Sequence, residues 1–383
     1  MASPAVSTSR SWRFWFMWTA PLSFLVALVL ASITPFTAAT TALFGDATLY
    51  ETAMEKLFAG QIPYVDFPFE HLPLSAVPMA LAYPIARVSG LPYTITFAAV
   101  SLASLFATGE IIVRIADRIG VAGAGVRWVW IAGPIFPLVM FRVDALSVLL
   151  ASAAVLLAIQ HREFPSFASA AAGILAKGWP VVGAASDWWR GKRLRAIALV
   201  GGTALMGIAL LTIPGFRSGR EFAGIHQETI VGAFVITGRA LAGSDLGLTD
   251  SAGAVYVAVG QWAVVVTFAI GAIVGLLALL VLRRTFSWRG SVSLTAALIF
   301  ALLLGSPLLS AQFLLWPMSF VAIADSKRTA VALSVAGGMS MLLVGVWLPG
   351  STWWHLFIVI RNIVLVVAAG FAMRDLRDLS ARA

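Results

Sequence analysis

The sequence predicts an all-α, polytopic membrane protein, and three observations predict it. Hydrophobic residues fill 60% of the 383 positions and charged ones only 11%, and mean hydropathy is +0.94. Apolar runs recur along the whole chain, and no polar stretch between them is long enough for a soluble domain. The interruptions are short and mostly basic, as loops on one side of a bilayer are.

The first apolar run, Phe14 to Phe36, follows Arg10 and Arg13. It exceeds the core of a signal peptide, although the small residues "TAATTA" follow it, so it reads as an uncleaved first span. Basic clusters then recur at Arg114/Arg118/Arg127, Arg162, Arg190/Lys192/Arg193/Arg195, Arg283/Arg284/Arg289, Lys327/Arg328 and Arg374/Arg377/Arg382. Assigning all of them to the cytoplasm puts both termini there and makes the net charge of +9 an orientation signal, not a nucleic-acid footprint. Many of the acidic residues, among them Asp46, Asp66, Glu70, Asp144 and Glu228, fall in the opposite segments.

Between basic clusters the chain goes out and back. Residues 128–160 turn near Arg142–Asp144, residues 164–189 around Lys177–Pro180, and residues 292–324 around "GSPLLSAQ". Limbs of about 14–18 residues fall short of the roughly 20 that a crossing needs, so they stop below the outer surface and leave an aqueous cavity. The expectation is about twelve spans in a single integral-membrane domain over 1–383. No internal repeat is visible.

Two outer segments, about 39–92 and 214–253, are long enough to carry chemistry. In the first, Ala47–Ala59 reads as a short amphipathic helix ended by "GQIP". Leu72–Val88 is apolar but broken by Pro73, Pro78 and Pro84, and reads as a partly buried or in-plane segment. Trp12, Trp15, Trp18, Trp188, Trp189, Trp353 and Trp354 fit an interfacial aromatic belt.

Composition excludes several chemistries. There is no cysteine, hence no disulfide, thiol nucleophile or cysteine zinc site, and the four histidines show no HExxH spacing. No cofactor is required; a divalent cation held by carboxylates is compatible with the sequence but not demanded by it.

Charged residues next to or inside apolar runs are the site candidates, because a charge in hydrocarbon costs several kcal/mol. Asp46, just after the first span, reads either as a general base at the outer face or as the N-cap of the 47–59 helix. Asp66 and Glu70 in "YVDFPFEHLP" read as ligands for a metal or sugar hydroxyls, or as solvated loop charges. His71 beside them is either a phosphate contact or an interfacial histidine. Arg142 and Asp144 are either a site or a salt bridge at the turn. Lys177 in "GILAKGWPVV" and Arg361 in "HLFIVIRNIVLV" are isolated cations in apolar runs. They either face an outward cavity and bind a lipid phosphate or pair with an internal carboxylate such as Asp144 or Glu110.

These residues carry a resemblance. "GDATLYETAMEKLFAGQIPYVDFPFEHLPLSAVP" resembles the first outer loop of polyprenyl-phosphate-sugar-dependent glycosyltransferases of the membrane GT-C superfamily, most closely the actinobacterial-type alpha-mannosyltransferase and arabinofuranosyltransferase branch. Asp46, Tyr50, Gly60, Pro63, Tyr64, Asp66, Glu70 and Pro73 fall on its D-x3-Y, A, G, PY-x-D-x3-EYPP pattern, while His71 and Leu72 replace the usual Tyr and Pro. "FRVDALSVLLA", "GILAKGWPVV" and "SAQFLLWPMSF", with Gln312, are similar to further family segments. "REFAGIHQETIVGAF" lines up with H-x2-RGLQ-x-ES, keeping Gly224 and Glu228, with Thr229 in the place of Ser, but placing Arg220, Ala223 and His226 where His, Arg and Gln are usual.

The resemblance implies a GT-C-like fold and a transferase that moves a sugar, mannose by the branch, from a polyprenyl-phosphate donor to a lipid-linked or cell-wall glycan acceptor. Asp46 would be the catalytic base; Tyr50, Tyr64, Asp66, Glu70, His71, Arg142, Asp144, Arg220, His226, Glu228 and Gln312 would line the donor and acceptor sites. Lys177 and Arg361 would hold the phosphate, a role inferred from their burial. The partners are then the lipid-linked donor, a glycolipid or glycan acceptor and the bilayer, with no nucleic acid. Alternatives from the same residues are an arabinofuranosyltransferase using the same donor lipid, a lipid-linked sugar flippase, and a catalytically silent relative. A flippase should show polarity along a path to the cytoplasm, whereas the inner halves of the spans are apolar apart from Glu110.

Overall fold

The computed structural model describes residues 8–33, 36–217, 224–251, 254–281, 287–345 and 351–382. The helices in chain order are α1 (Thr8–Ile33), α2 (Phe36–Phe58), α3 (Ala76–Ser89), α4 (Tyr93–Ile119), α5 (Ala124–Ala132), α6 (Phe136–Val139), α7 (Asp144–Ile159), α8 (Glu163–Lys177), α9 (Gly183–Trp189), α10 (Arg193–Thr212) and α11 (Pro214–Arg217). After β1 (Ile225–His226) come α12 (Ile230–Leu241), β2 (Leu248–Ser251), β3 (Ala254–Val257), α13 (Gln261–Val281), α14 (Trp288–Leu304), α15 (Leu315–Ala324), α16 (Lys327–Gly345) and α17 (Thr352–Arg382). The fold is thus overwhelmingly helical.

Among the described residues four helices are long and apolar enough to cross a membrane: α4, α10, α13 and α17. Shorter apolar helices accompany them, including Asp144–Ile159, Ile230–Leu241 and Trp288–Leu304. The chain is a helical membrane protein by these criteria. At 1.5 Å per residue, a helix of 16 residues such as α7 reaches about 24 Å, less than the roughly 30 Å hydrocarbon core.

The chain divides into two compact units. Unit 1 comprises residues 1–40, 112–138 and 222–383; unit 2 comprises 41–111 and 139–221. In unit 2, α7 and α8 form an antiparallel hairpin whose facing surfaces are small: Ser147, Ala151 and Ala154 on one, Ser166, Ala170 and Gly173 on the other. Lipid tails are as apolar as the protein interior, so close backbone approach over small side chains is what holds such pairs together. A second cluster packs Tyr50 and Met54 of α2 against Phe67 and Phe69 of the following loop, Met79 of α3 and Phe97 of α4.

In unit 1, α14 is buried along nearly its whole length, from Gly290 to Leu304, and packs against α13, α15 and α17. α13 touches it backbone to backbone: a Cβ on Gly271 would lie 2.6 Å from the Gly305 Cα. The sheet order is β1-β3-β2, antiparallel, with His226 opposite Tyr256.

The predicted turns are found, and two expectations are corrected. α7 starts at Asp144, α8 ends at Lys177 before Gly178 (φ +78°) and Pro180, and α14 and α15 flank the 305–310 segment. Gly at the helix C-terminus and Pro beyond it end α8 as expected. The separate helix over 47–59 is instead the second half of α2, which begins at Phe36. Asp46 therefore sits inside a helix and caps nothing. The sheet was not anticipated: the strands are two to four residues long, too short for an alternation pattern. The Leu72–Val88 region is α3, preceded by a 3-10 turn, with Pro78, Met79, Ala82 and Ala86 buried and Leu81, Ile85 and Val88 exposed.

Candidate functional site

Unit 2 gathers seven of the predicted residues into one polar cluster. Arg142, in the turn before α7, places its Nε 3.1 Å from Asp46 Oδ2 on α2, and the Tyr50 hydroxyl one helical turn further donates to the same oxygen at 3.4 Å. Spacing of four along a helix stacks Asp46 and Tyr50 on one face. Lys177 Nζ at the end of α8 lies 3.6 Å from Asp144 Oδ2 at the start of α7. Asp46, Arg142, Asp144 and Glu70 all act electrostatically on the Tyr50 phenol, and the His71 ring meets the Tyr50 ring edge-on at 5.3 Å.

Arg142 and Asp144, read from the sequence as either a site or a salt bridge at the turn, each hold an ion pair to another element. Each residue reaches a different partner, so the turn ties α2 through Arg142 and α8 through Asp144. Lys177 is not an isolated cation; its partner is Asp144, one of the two carboxylates anticipated. Asp144 is 1% exposed, Lys177 17% and Asp46 36%. Asp46 is thus the accessible carboxylate and Asp144 the buried one.

The loop between α2 and α3 frames this cluster. Asp66 accepts from its own loop, Ile62 N–H to Oδ2 at 2.6 Å, while its N–H donates to the Ile62 carbonyl at 2.8 Å. It is exposed and closes a turn. Tyr64 holds φ +68°, a region that costs a non-glycine residue energy. Its ring packs against Phe69 and Phe216, and its hydroxyl donates to the His71 carbonyl. Burial pushes the Tyr64 phenol up to about 12, so it stays protonated as that donor. Glu70 lies 3.7 Å from His71 Nε2. Gly215 fits beneath Tyr64 because it lacks a Cβ, which would stand 2.2 Å from the Tyr64 carbonyl oxygen.

Unit 1 gathers the rest of the predicted set. Arg361 on α17 is fully buried and donates through Nη1 to Glu228 Oε2 at 2.8 Å and through Nη2 to the Glu228 carbonyl at 2.7 Å. Arg361 is therefore not isolated either, and its partner is neither Asp144 nor Glu110. His226 on β1 donates its backbone N–H to the Pro307 carbonyl at 2.9 Å, and its side chain bonds the Leu309 carbonyl. Ser310, one residue on, donates to Gln312 Oε1 at 2.6 Å, which brings His226 and Gln312 to the same 307–312 segment. Burial lowers the His226 pKa below 6.5, against the opposing pull of Glu228. Arg220 lies outside the described residues.

Several residues of these clusters carried no earlier signal. Asn362 donates to the carbonyls of Glu228 and Thr229, both at 3.1 Å; its only mark in the sequence is a second polar residue beside Arg361 in an apolar run. Gln227 is 1% exposed, with Oε1 unbonded among the described residues. Trp179 donates to Ser147 at 2.9 Å and Ser75 to the Ala176 carbonyl at 2.8 Å, fixing the turn that presents Lys177. Among the described residues no three His, Asp or Glu side chains converge as a metal-binding group.

No family model, curated protein or solved structure matches this chain.

Proposed function

We propose that the chain is a membrane glycosyltransferase of GT-C type, moving a sugar from a polyprenyl-phosphate donor to a lipid-linked or cell-wall glycan acceptor, with mannose the first donor to try. The observation that carries this reading is the Asp46 carboxylate: oriented by Arg142 at 3.1 Å and Tyr50 at 3.4 Å, yet 36% exposed, beside the Lys177–Asp144 pair. A general base needs a fixed direction and access to the proton it takes.

In the reaction the acceptor hydroxyl attacks the anomeric carbon, the bond from that carbon to the phosphate oxygen breaks, and its electron pair leaves with the phosphate. The hydroxyl proton passes to Asp46. The leaving phosphate needs no proton at neutral pH, so one carboxylate suffices and the configuration inverts. Lys177, partly exposed, would meet the donor phosphate, whereas Arg361 is fully buried and engaged with Glu228. In this proposal Arg361 positions the 226–229 segment instead of holding phosphate. Glu70 and His71 face the acceptor side, and the site opens to the outer face of a plasma membrane with about twelve crossings and cytoplasmic termini.

The test is transfer by purified protein in lipid, with polyprenyl-phosphate mannose and polyprenyl-phosphate arabinose offered separately against a membrane-lipid acceptor extract. Asp46→Asn, run beside the wild type, is expected to lower transfer by about 10²–10⁴-fold with unchanged thermal stability and donor binding. Transfer that survives the substitution moves the base to another carboxylate. Donor binding without transfer from either lipid overturns the enzyme reading in favour of a flippase or a silent relative.

A further inference from the structure

At the opposite end of the α7/α8 hairpin from Lys177, unit 2 has a groove that the proposed reaction does not use. A cavity of about 520 Å³ is lined by Glu163, Phe164 and Phe167 of α8 and by Gly191, Lys192, Arg193, Leu194 and Arg195 where α10 begins. Its charges do not cancel: carboxylates answer two of its three cations, Lys192 and Arg195, and leave Arg193 over. Lys192 and Arg195 share one carboxylate, at 2.9 and 3.5 Å from Glu163 oxygens, and Arg195 also binds Asp187 at 2.7 Å. Arg193 has no carboxylate partner among the described residues and lies over the Trp188 ring, 5.6 Å from its centroid.

The apolar side chains at this groove are turned outward. Phe164 is 79% exposed and Leu194 85%, and Leu194 begins an exposed apolar surface that continues along α10 through Ile197, Val200, Leu205, Ile208 and Leu211. α10 is one of the four helices fit to cross a membrane, with 17% of its apolar window buried. Cations and tryptophans at the end of such a helix lie at headgroup level, and the surface beyond lies among acyl chains.

We propose that this groove binds an anionic diacyl phospholipid, its headgroup phosphate between Lys192 and Arg193 and one acyl chain along the Leu194–Leu211 surface of α10. Charge complementarity selects the headgroup, because the uncancelled Arg193 beside the half-exposed Lys192 favours an anion. The continuity of the basic groove with the apolar helix face selects a lipid over a soluble phosphate, because a soluble ion leaves Phe164 and Leu194 uncovered. The site is independent of the glycosyl-transfer reading.

The experiment is native mass spectrometry of the full-length purified protein titrated with phosphatidylglycerol, with phosphatidylcholine of the same acyl chains, and with glycerol phosphate as a competitor. Retention of phosphatidylglycerol over phosphatidylcholine is expected, without displacement by glycerol phosphate. Arg193→Gln, which breaks no ion pair, should weaken the anionic lipid about fivefold, and Lys192→Gln with Arg193→Gln about 25-fold. Lys327→Gln with Arg328→Gln, at another basic cluster, should leave it unchanged. Equal weakening by both double variants would reduce the effect to general surface charge and overturn the site. Equal retention of the two lipids, or displacement by glycerol phosphate, overturns the choice of occupant.

Discussion

Removing the Glu228 carboxylate leaves the Arg361 guanidinium charged, fully buried and without a counter-ion among the described residues. Of its three bonds, those from Nη2 to the Glu228 carbonyl and from Nε to Asn362 Oδ1 survive in Glu228→Ala, and only the one from Nη1 to Oε2 is lost. The penalty therefore falls at the lower end of the 3–5 kcal/mol range for breaking a buried pair, about 3 kcal/mol. For a unit of this size that is a fall in midpoint of roughly 6–12 °C, read by tryptophan fluorescence during heating in detergent. Glu228→Leu combined with Arg361→Met removes both charges and should recover most of the loss, since apolar replacement of a whole buried pair is close to neutral. A Glu228→Ala midpoint within about 2 °C of wild type, or a double variant as unstable as the sum of the singles, would refute the reasoning.

Lys177→Met removes the cation 3.6 Å from Asp144, which is 1% exposed, and should lower stability in the same thermal assay by about 3 kcal/mol or less, with Asp144→Asn in that background restoring most of it. Gly215→Ala drives a Cβ onto the Tyr64 carbonyl, whose residue is already at positive φ; the expected cost is about 1–3 kcal/mol, whereas Gly201→Ala, with nothing within 4 Å of the added carbon, should be neutral or slightly stabilising. His226 contributes a pH dependence. Its folded pKa is depressed by burial, so below 6.5 the unfolded chain takes up a proton that the native site refuses, and stability falls as pH drops through that value. His226→Gln should flatten the difference in midpoint between pH 7.5 and pH 5.5, and an unchanged difference would assign the dependence elsewhere.

What could be read in advance followed from single residues set against their surroundings. Lys177–Pro180 and Arg142–Asp144 stood out as breaks in apolar runs, and both are turns. Lys177 is legible as a cation that needs a partner, and Asp144 is one of the carboxylates the sequence offers. Which charge meets which was not legible, because Arg142 and Asp46 are far apart in the chain and nothing local distinguishes that partner from Asp144. The continuity of α2 was hidden for a different reason. Gly45 and neighbouring small residues weaken helix propensity, and the buried contacts of Leu43, Ala47, Tyr50 and Met54 along one face of the same helix override it. Glu228 and Arg361 each stand out from their own neighbours in the sequence, yet the bond between them spans 133 positions.

α17 carries two polar anchors on nearly one face. Arg361 and Asn362 grip the 228–229 backbone near its start, and Asp375 accepts hydrogen bonds from Ser326 and Thr329 near its end. Fourteen residues separate Arg361 from Asp375, which is about 21 Å of rise and about 40° of rotation. A rod pinned at two points so far apart can neither roll nor slide without breaking one of them. In a bilayer, where apolar helix faces glide past lipid with little resistance, these two pins fix the height and facing of α17 against its protein neighbours, and with them the level along the helix at which the 228–229 backbone is held.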